Sequence, residues 1–417
     1  MNFKVKNPSL SEEGALSTEW ASMHMPVLNQ IKDRFASEKP LKDISIGGSL
    51  HVTKETSVLI TTLIAGGAEV ALCGSNPLST QDGIAAFLAE QGVSIYAWRG
   101  QTTEEYYWCV GKVIDTGPEI TVDDGADLVG TIHSKRTAIL SEIRGGTEET
   151  TTGVIRLRAM EMAGELKYPI IAVNDAHTKH LFDNRYGTGQ STLDGIVRTT
   201  NILLAGKNFV VAGYGWCGRG LALRAKGMGA KVIVIETDPT KALEAVMEGF
   251  QVLPMSEAAE VGDIFVTVTG SKHVIRKAHM MKMKDGAILA NSGHFNIEIN
   301  IPDLESITER RRKVRENLEE YVIGDGRRLY LLGEGRLINL AGAEGHPSEV
   351  MDMSFANQAL CIEHLVKTPN LPPKVYRVPT SIDEQVAMLK LNAMRVKIDT
   401  LTLAQKEYIE SWKAGTV

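Results

Sequence analysis

A chain of 417 residues is longer than one ordinary hydrophobic core can organise, so two major domains are expected. Its 43% hydrophobic and 23% charged residues are those of a globular protein and exclude disordered or collagen-like composition. With 51 acidic against 45 basic side chains, a net charge of -6, there is no basic stripe for nucleic acid and no attraction to an acidic membrane, which leaves a small molecule as the expected partner. In chain order, the opening MNFKVKNPSLSEEG lacks the apolar core of a signal peptide. From Lys42 onward short β-rich runs alternate with helical ones. Strands are predicted at Asp43–Ile46, Glu69–Cys73, Ser94–Trp98, Glu119–Val122 and Ile170–Val173, and helices at Thr53–Ala65, Thr80–Gln91, Thr103–Val113 and Thr152–Gly164. The longest apolar run, Ser57–Ala65, is interrupted by Thr61 and Thr62 and is too short to span a bilayer.

A second series starts at Lys207, with Gly206 at the border. NFVVAGYG reads as strand then turn, Leu221–Gly227 as helix, Lys231–Glu236 as strand, Ala242–Gly249 as helix, and Ile264–Val268 and Ala287–Asn291 as strands. Strands alternating with helices of this length imply βαβ units and parallel sheets, so the expected fold is α/β with two doubly wound domains. The charged run Glu309–Glu320 (ERRRKVRENLEE) is expected to be a solvated helix. The stretch from Asp383 to Val417, rich in Ala, Leu, Lys and Glu, is expected to be a helical tail that packs on another domain or subunit. The four cysteines (Cys73, Cys109, Cys217, Cys361) form no CxxC pair, which argues against a disulfide scaffold or a zinc site and for a reducing, cytoplasmic location.

Gly213-Tyr214-Gly215-Trp216-Cys217-Gly218 fits GxGxxG, a weak signal alone. It gains weight from the strand before it, the helix after it, and Glu236 at the end of KVIVIE, 18 residues beyond Gly218. Gly213 permits the tight turn, Gly215 lets the backbone approach a pyrophosphate, and Gly218 lets helix and strand pack closely. Glu236 can accept from both ribose hydroxyls and would repel a 2′-phosphate, so NAD rather than NADP is expected.

Ligands of open α/β sheets sit beyond the carboxyl ends of the strands. The first unit carries polar residues in these connections: His51, Thr53 and Glu55; Asn76, Ser79, Gln81 and Asp82; Asp123 and Asp124; Glu148, Glu149 and Thr150–Thr152; Asn174, Asp175, Lys179, Asp183 and Asn184. Thr53 with Glu55, or Asp82, could be ordinary helix caps, and Lys179 with Asp183, four apart, an ordinary ion pair. Five such connections on one rim ask for more than capping. In the second unit Asn291-Ser292-Gly293-His294, Asn339 and Gly345-His346-Pro347-Ser348 are similarly placed. A small, hydroxyl-rich substrate facing NAD across an interdomain cleft is the expectation.

SLHVTKETSVLI, SNPLSTQD, DDGADL, SEIRGGTEETTTGV, VNDAHTKHLFDNRYG, VVAGYGWCGRG, SGHFNIEI and GRLINLAGAEGHPSEVMDMSFANQ, in this order, closely resemble the S-adenosylhomocysteine hydrolase family, from about Gly47 to Gln358. The resemblance implies net hydrolysis by oxidation of the ribose 3′-hydroxyl with a recycled NAD, elimination of homocysteine, addition of water and re-reduction. It places Lys179 and Asp183 on the 3′-hydroxyl, with Lys179 as base and its pKa therefore lowered. Glu149 would hold the 2′-hydroxyl, and Asn174 would support the cluster. His51 and Asp124 would handle the protons at C4′ and the 5′ leaving group, in either order, and Thr53, Glu55 and His346 would read the purine. Thr150, Thr151, Thr152, Asn184, Gly213, Gly215, Gly218, Glu236, Lys241, Ser292, Gly293, His294, Asn339 and His346 would hold NAD, with His294 also counted as catalytic. The domains implied are 1–185 for substrate, completed by about 347–382, then 186–346 for NAD, then 383–417 as the tail. A homotetramer is the implied assembly.

Three departures stand out. Thr188 replaces a common Cys, and Lys241 a common Asn near the adenosine ribose of NAD. The chain stops at KAGTV, without the family's Lys-and-Tyr-bearing extension, as in its shorter archaeal and thermophilic-bacterial branch; faster NAD exchange is the expectation. Three other activities compete. An S-inosylhomocysteine hydrolase would need a donor near the purine oxo group, where Glu55 is an acceptor. A non-catalytic regulatory relative would have lost one of His51, Asp124, Glu149, Lys179, Asp183 or His294. A net dehydrogenase would release reduced cofactor into solution.

Overall fold

The computed structural model describes residues 3–413 and Gly415. Its strands run β1 (Lys4–Val5), β2 (Ser45–Leu50), β3 (Glu69–Gly74), β4 (Ser94–Ala97), β5 (Ile120–Asp123), β6 (Gly145–Glu148) and β7 (Ile170–Ala172). They continue as β8 (Asn208–Ala212), β9 (Lys231–Ile235), β10 (Gln251–Val252), β11 (Ile264–Thr267), β12 (Ala287–Asn291), β13 (Thr308–Arg315), β14 (Leu318–Ile323), β15 (Arg328–Leu332) and β16 (Val375–Arg377). Two sheets of eight strands result, in the orders β1-β4-β3-β2-β5-β6-β7-β16 and β10-β9-β8-β11-β12-β15-β14-β13. The first is parallel throughout; the second is parallel except where β14 pairs with β13 and β15. The expected α/β class with two doubly wound sheets holds. Strands such as NFVVA and AILAN are apolar without alternation because helices cover both of their faces.

Strand order reverses between β2 and β5 in the first sheet and between β8 and β11 in the second. At such a point adjacent connections leave in opposite directions and open a crevice. His51 follows β2 and Asp124 follows β5; the Gly213 turn follows β8 and Thr269 the strand β11. The two crevices are the frame of the site.

The charged run Glu309–Glu320 is not a helix. Its residues form the hairpin β13–β14, where Arg311 reaches Glu319 at 2.8 Å and Arg312 reaches Glu320 at 2.6 Å across the strands. Opposite charges that could pair along a helix face pair across a ladder instead, while Tyr321 and Ile323 are buried. Asn317 takes the positive φ of 57° that the turn requires.

Two N-terminal helices, Ser11–Met23 and Pro26–Glu38, carry no expectation from sequence. The first packs through Gly14, where a Cβ would collide with the Gly83 carbonyl. The second buries Val27, Leu28, Ile31 and Phe35, and its first turn donates to Asp352, from Val27 N at 3.2 Å and Leu28 N at 2.8 Å.

The tail divides. A helix over Thr380–Ala393 folds back on the first unit, and Asp383 accepts from the amides of His177 and Thr178 at 2.6 and 2.9 Å. The helix Leu403–Glu410 buries none of its residues. Ala414, Thr416 and Val417 of the tail, and Met1 and Asn2 of the opening segment, lie outside the described residues. Among the described residues no helix is long and apolar enough to cross a membrane, and Cys73, Cys109, Cys217 and Cys361 are free thiols.

Candidate active site

One cavity of about 1150 Å³ joins the two crevices. Of the residues expected to touch substrate or cofactor, all but Gly218 line it. Gly218 lies beneath the turn, where a Cβ would strike the Gly213 carbonyl, so its contribution is the close helix–strand contact.

The acidic pairs at the ends of β5 and β6 split by role. Asp123 accepts from Val129 N at 2.8 Å and Asp124 N at 2.9 Å. Glu148 accepts from Gly125 N at 2.8 Å, Thr150 N at 3.0 Å and Ala126 N at 3.1 Å. Both are therefore satisfied by backbone and hold the loops. Their neighbours Asp124 and Glu149 are turned into the cavity. Thr53 stands at the N-cap of its helix and Asp82 opens the next, but neither caps through its side chain: Gln81 Oε1 receives the Lys54 amide at 3.1 Å, and Asp82 receives the Arg99 amide at 2.9 Å.

Lys179 precedes a π-helical stretch, His180–Gly187. Its wider turn is a recurrent feature of functional sites. Lys179 Nζ lies 2.9 Å from Asp183, 3.7 Å from Glu149, and donates to Asn184 Oδ1 at 2.7 Å and Asn174 Oδ1 at 3.4 Å. Glu149 is held by Ser354 and Gln358. Asp183 also receives His346 Nδ1, whose Nε2 faces Thr188 at 3.2 Å and Asn339 at 3.1 Å. Thr188 thus presents a hydroxyl to His346 at the position where the resemblance leads one to expect a thiol.

The lysine is not tuned downward as expected. Burial pulls its pKa down, but the Asp183 and Glu149 carboxylates outweigh burial and leave it above the ordinary value. Asp183 ends below the usual carboxylate range because Lys179 and His346 outweigh its burial. Burial pushes Glu149 up to about 7 despite Lys179. The ammonium form therefore dominates at Lys179, and Glu149 is the member of the cluster with proton affinity near neutrality.

Across the cavity His51 Nε2 lies 3.4 Å and His294 Nδ1 3.7 Å from Asp124. Burial, then the charge of His346, brings His51 down to about 3. Burial also lowers His294 against the pull of Asp124, and raises Asp124 itself. Four residues beyond His51, Glu55, 1% exposed, receives Ser348 Oγ at 2.7 Å.

The second crevice fits a dinucleotide. Gly213 has φ 112°, and the Cβ position of Gly215 faces nothing within 4 Å, so the backbone there is open to a pyrophosphate. Glu236 is oriented by the amides of Thr237, Tyr214 and Asp238 at 2.6, 2.8 and 3.0 Å. Lys241 sits at the rim, 3.5 Å from Asp238. Thr150 caps its helix through Gly153 N, Thr151 meets Asn174 at 3.2 Å, and Ser292 meets Thr192 at 2.6 Å. Buried Asn339 Oδ1 has no protein partner, as a group awaiting a ligand would. Sequence reasoning missed Glu298, which holds Thr269 and Gly270 at the cavity edge; it lies within SGHFNIEI, but the resemblance gives it no role.

Known proteins resemble this chain in sequence. Residues 2–138 match the model of S-adenosyl-L-homocysteine hydrolase, and residues 184–345 that of the S-adenosyl-L-homocysteine hydrolase NAD binding domain. The chain is 61% identical to an adenosylhomocysteinase of Aquifex aeolicus and 59% identical to one of Sulfolobus acidocaldarius, each over 100% of both chains. It is 58% identical to an S-inosyl-L-homocysteine hydrolase of Methanocaldococcus jannaschii over 99% of this chain and 100% of that one. NAD is its cofactor, and the chain belongs to the S-adenosyl-L-homocysteine hydrolase family of enzymes.

Proposed function

We propose that this enzyme hydrolyses S-adenosyl-L-homocysteine reversibly to adenosine and L-homocysteine. The observation that carries the proposal is the single cavity in which Lys179, Asp183 and Glu149, a set suited to two vicinal hydroxyls, face the glycine turn. Bound NAD supplies a reversible two-electron acceptor for the ribose 3′-carbon. Glu149 receives the 2′-hydroxyl, and Lys179 with Asp183 receives the 3′-hydroxyl. For Lys179 to take the 3′ proton its own must first pass to a neighbouring carboxylate, and Glu149, with the higher proton affinity, is suited to hold it. His51 and Asp124 move the protons at C4′ and at the departing 5′ sulfur. Gly213, Gly215, Glu236, Thr150, Thr151, Thr152, Asn184, Ser292, Gly293, His294 and Asn339 hold the cofactor, with Lys241 at its rim. The domain division is 1–185 with 347–382 for substrate and 186–346 for NAD.

Glu55 favours adenosine. Its buried carboxylate accepts from an amino group, whereas an oxo group there would be left facing an acceptor. The inosyl relative makes the comparison a real one. Assayed on both thioethers, the enzyme is expected to prefer the adenosyl substrate by at least about tenfold in kcat/KM, the worth of one unmatched buried hydrogen bond. A preference for the inosyl compound would reassign the substrate, and accumulation of free reduced cofactor would overturn hydrolysis altogether.

Glu236→Gln tests the cofactor site. Its negative charge is expected to repel a 2′-phosphate by about 1–4 kcal/mol. The variant should raise NADP affinity relative to NAD by at least about tenfold, measured by titrating the cofactor-stripped protein; an unchanged ratio would remove Glu236 from this role. The exposed Leu401, Leu403, Tyr408, Ile409 and Trp412 of the tail support a homo-oligomer, a tetramer by resemblance, and the four free thiols support a cytoplasmic location.

A further inference from the structure

We propose that Ser354 and Gln358 are positioning residues for this reaction, which clamp the Glu149 carboxylate beside Lys179 so that it takes the lysine's proton during oxidation of the ribose. The proposal deepens the role given to Glu149 above and rests on it. Ser354 Oγ donates to Glu149 Oε1 and Gln358 Nε2 donates to Oε2, so each carboxylate oxygen has its own donor. Both donors come from the helix Ser348–Lys367, where residues four apart share a face. On the same face Asn357 Nδ2 donates at 2.7 Å to the hydroxyl of Thr178, the residue before Lys179. One helix thus holds both sides of the Glu149–Lys179 pair, whose members follow two different strands.

Burial argues that these side chains are there for their donors. Ser354, Asn357 and Gln358 are each 0% exposed. Gln358 Oε1 and Asn357 Oδ1 have no hydrogen-bond partner among the described residues. A buried oxygen left so is a cost that a leucine in either place would not carry. What the glutamine has instead is an N–H that an apolar side chain lacks. The clamp also sets a distance. Lys179 Nζ lies 2.9 Å from Asp183 but 3.7 Å from Glu149 Oε1, so the lysine pairs directly with Asp183 and a gap remains at Glu149. A substrate hydroxyl making contacts of about 2.8 Å to both sides fits that gap.

Donors aimed at carboxylate oxygens favour the ionised form of Glu149. Lys179 acts in the same sense, burial and the Asp183 carboxylate act against it, and the balance leaves Glu149 at about 7. Asp183 is itself held by His346, and Lys179 also feels Asp124 across the cavity. On the clamping helix Glu349 meets His24, Asp352 meets Lys390 and Glu363 meets Arg34, while the adjoining Glu148 is taken up by loop amides. What the helix presents to Glu149 is therefore a pair of neutral donors. Oxidation needs Glu149 ionised, so its rate rises with pH through the pKa of that carboxylate. Removing a donor to the ionised form raises that pKa and moves the rise to higher pH.

The test follows the absorbance of reduced nicotinamide after adenosine is added to the NAD-loaded enzyme, across the neutral pH range. Gln358→Leu and Ser354→Ala are each expected to move the ascending limb up by about one pH unit, so that oxidation slows about tenfold below the limb and recovers above it. Ser354→Thr keeps the hydroxyl and should return the limb to its wild-type place. A uniform fall at every pH, or an unmoved limb in either variant, would overturn the clamp. Should Gln358→Leu fail to fold, the contrast of Ser354→Ala with Ser354→Thr decides by itself. Glu149→Gln separates the clamp from the role of Glu149, and is expected to oxidise adenosine slowly and without the ascending limb. Wild-type oxidation in Glu149→Gln would remove that role and the clamp with it. Slow oxidation there, beside an unmoved limb in the clamp variants, would remove the clamp alone.

Discussion

Lys179→Ala is expected to lower turnover about a thousandfold or more, and adenosine added to the NAD-loaded variant should produce none of the absorbance of reduced nicotinamide. The reason is geometric. Lys179 Nζ sits inside the ring made by Asp183, Glu149, Asn184 and Asn174, 3% exposed and with two carboxylates within 3.7 Å. Its removal takes away the group that exchanges a proton with the 3′-hydroxyl and leaves two buried carboxylates without their counter-ion. The second effect threatens stability, since stripping one partner from a buried pair costs about 3–5 kcal/mol. His346 still meets Asp183, and Ser354 and Gln358 still meet Glu149, which limits the damage. Lys179→Gln separates the two effects. It keeps donors toward Asp183 and Asn184 while losing the exchangeable charge, so it should fold and hold NAD yet remain unable to oxidise adenosine. Reduced cofactor forming in either variant at the wild-type rate would remove Lys179 from the oxidation step.

Much of this site is legible in the sequence because strand ends in doubly wound sheets are places of known meaning. His51, Asp124, Glu149 and Lys179 each follow a strand, and parallel strands bring their carboxyl ends to one edge whatever their order. Where the order reverses is not legible, and it is the reversal between β2 and β5 that sets His51 beside Asp124. Each acidic pair, Asp123-Asp124 and Glu148-Glu149, looks uniform as text. Alternation along a strand sends one member to the loop amides and the other to the cavity. The electrostatics of Lys179 run against expectation for a related reason. The downward shift is expected from the role the resemblance gives Lys179, and burial does pull that way, but the two carboxylates that outweigh it come from separate elements, one of them inside a π-helical turn that no periodicity announces. The supports of Glu149, Ser354 and Gln358, lie 205 and 209 residues away on a helix buried over most of its surface, where a polar side chain has no pattern to stand out from. The Glu309–Glu320 hairpin reads as a helix because alternating charge satisfies a helix face and a β-ladder equally well, and the buried Tyr321 and Ile323 that decide between them lie just past the run.

Asp124→Asn should have the opposite spectroscopic signature from Lys179→Ala. The substitution keeps the shape of the side chain and removes a buried charge whose pKa burial already raises, so folding and NAD binding should be preserved. Asn184, Glu149, Lys179 and Asp183 are untouched, and oxidation of the ribose should proceed. What is lost is proton transfer on the other side of the cavity, where Asp124 lies 3.4 Å from His51 and 3.7 Å from His294. A positioned acid or base is worth about 10²–10⁴ in rate, so release of homocysteine thiol should fall by that factor while the absorbance of reduced cofactor builds up on the enzyme instead of decaying. The same contrast orders the steps: a block at Lys179 precedes the colour, a block at Asp124 follows it. If Asp124→Asn suppresses the absorbance as completely as Lys179→Ala does, the two residues serve one step, and the division of the cavity into an oxidising side and an eliminating side is wrong.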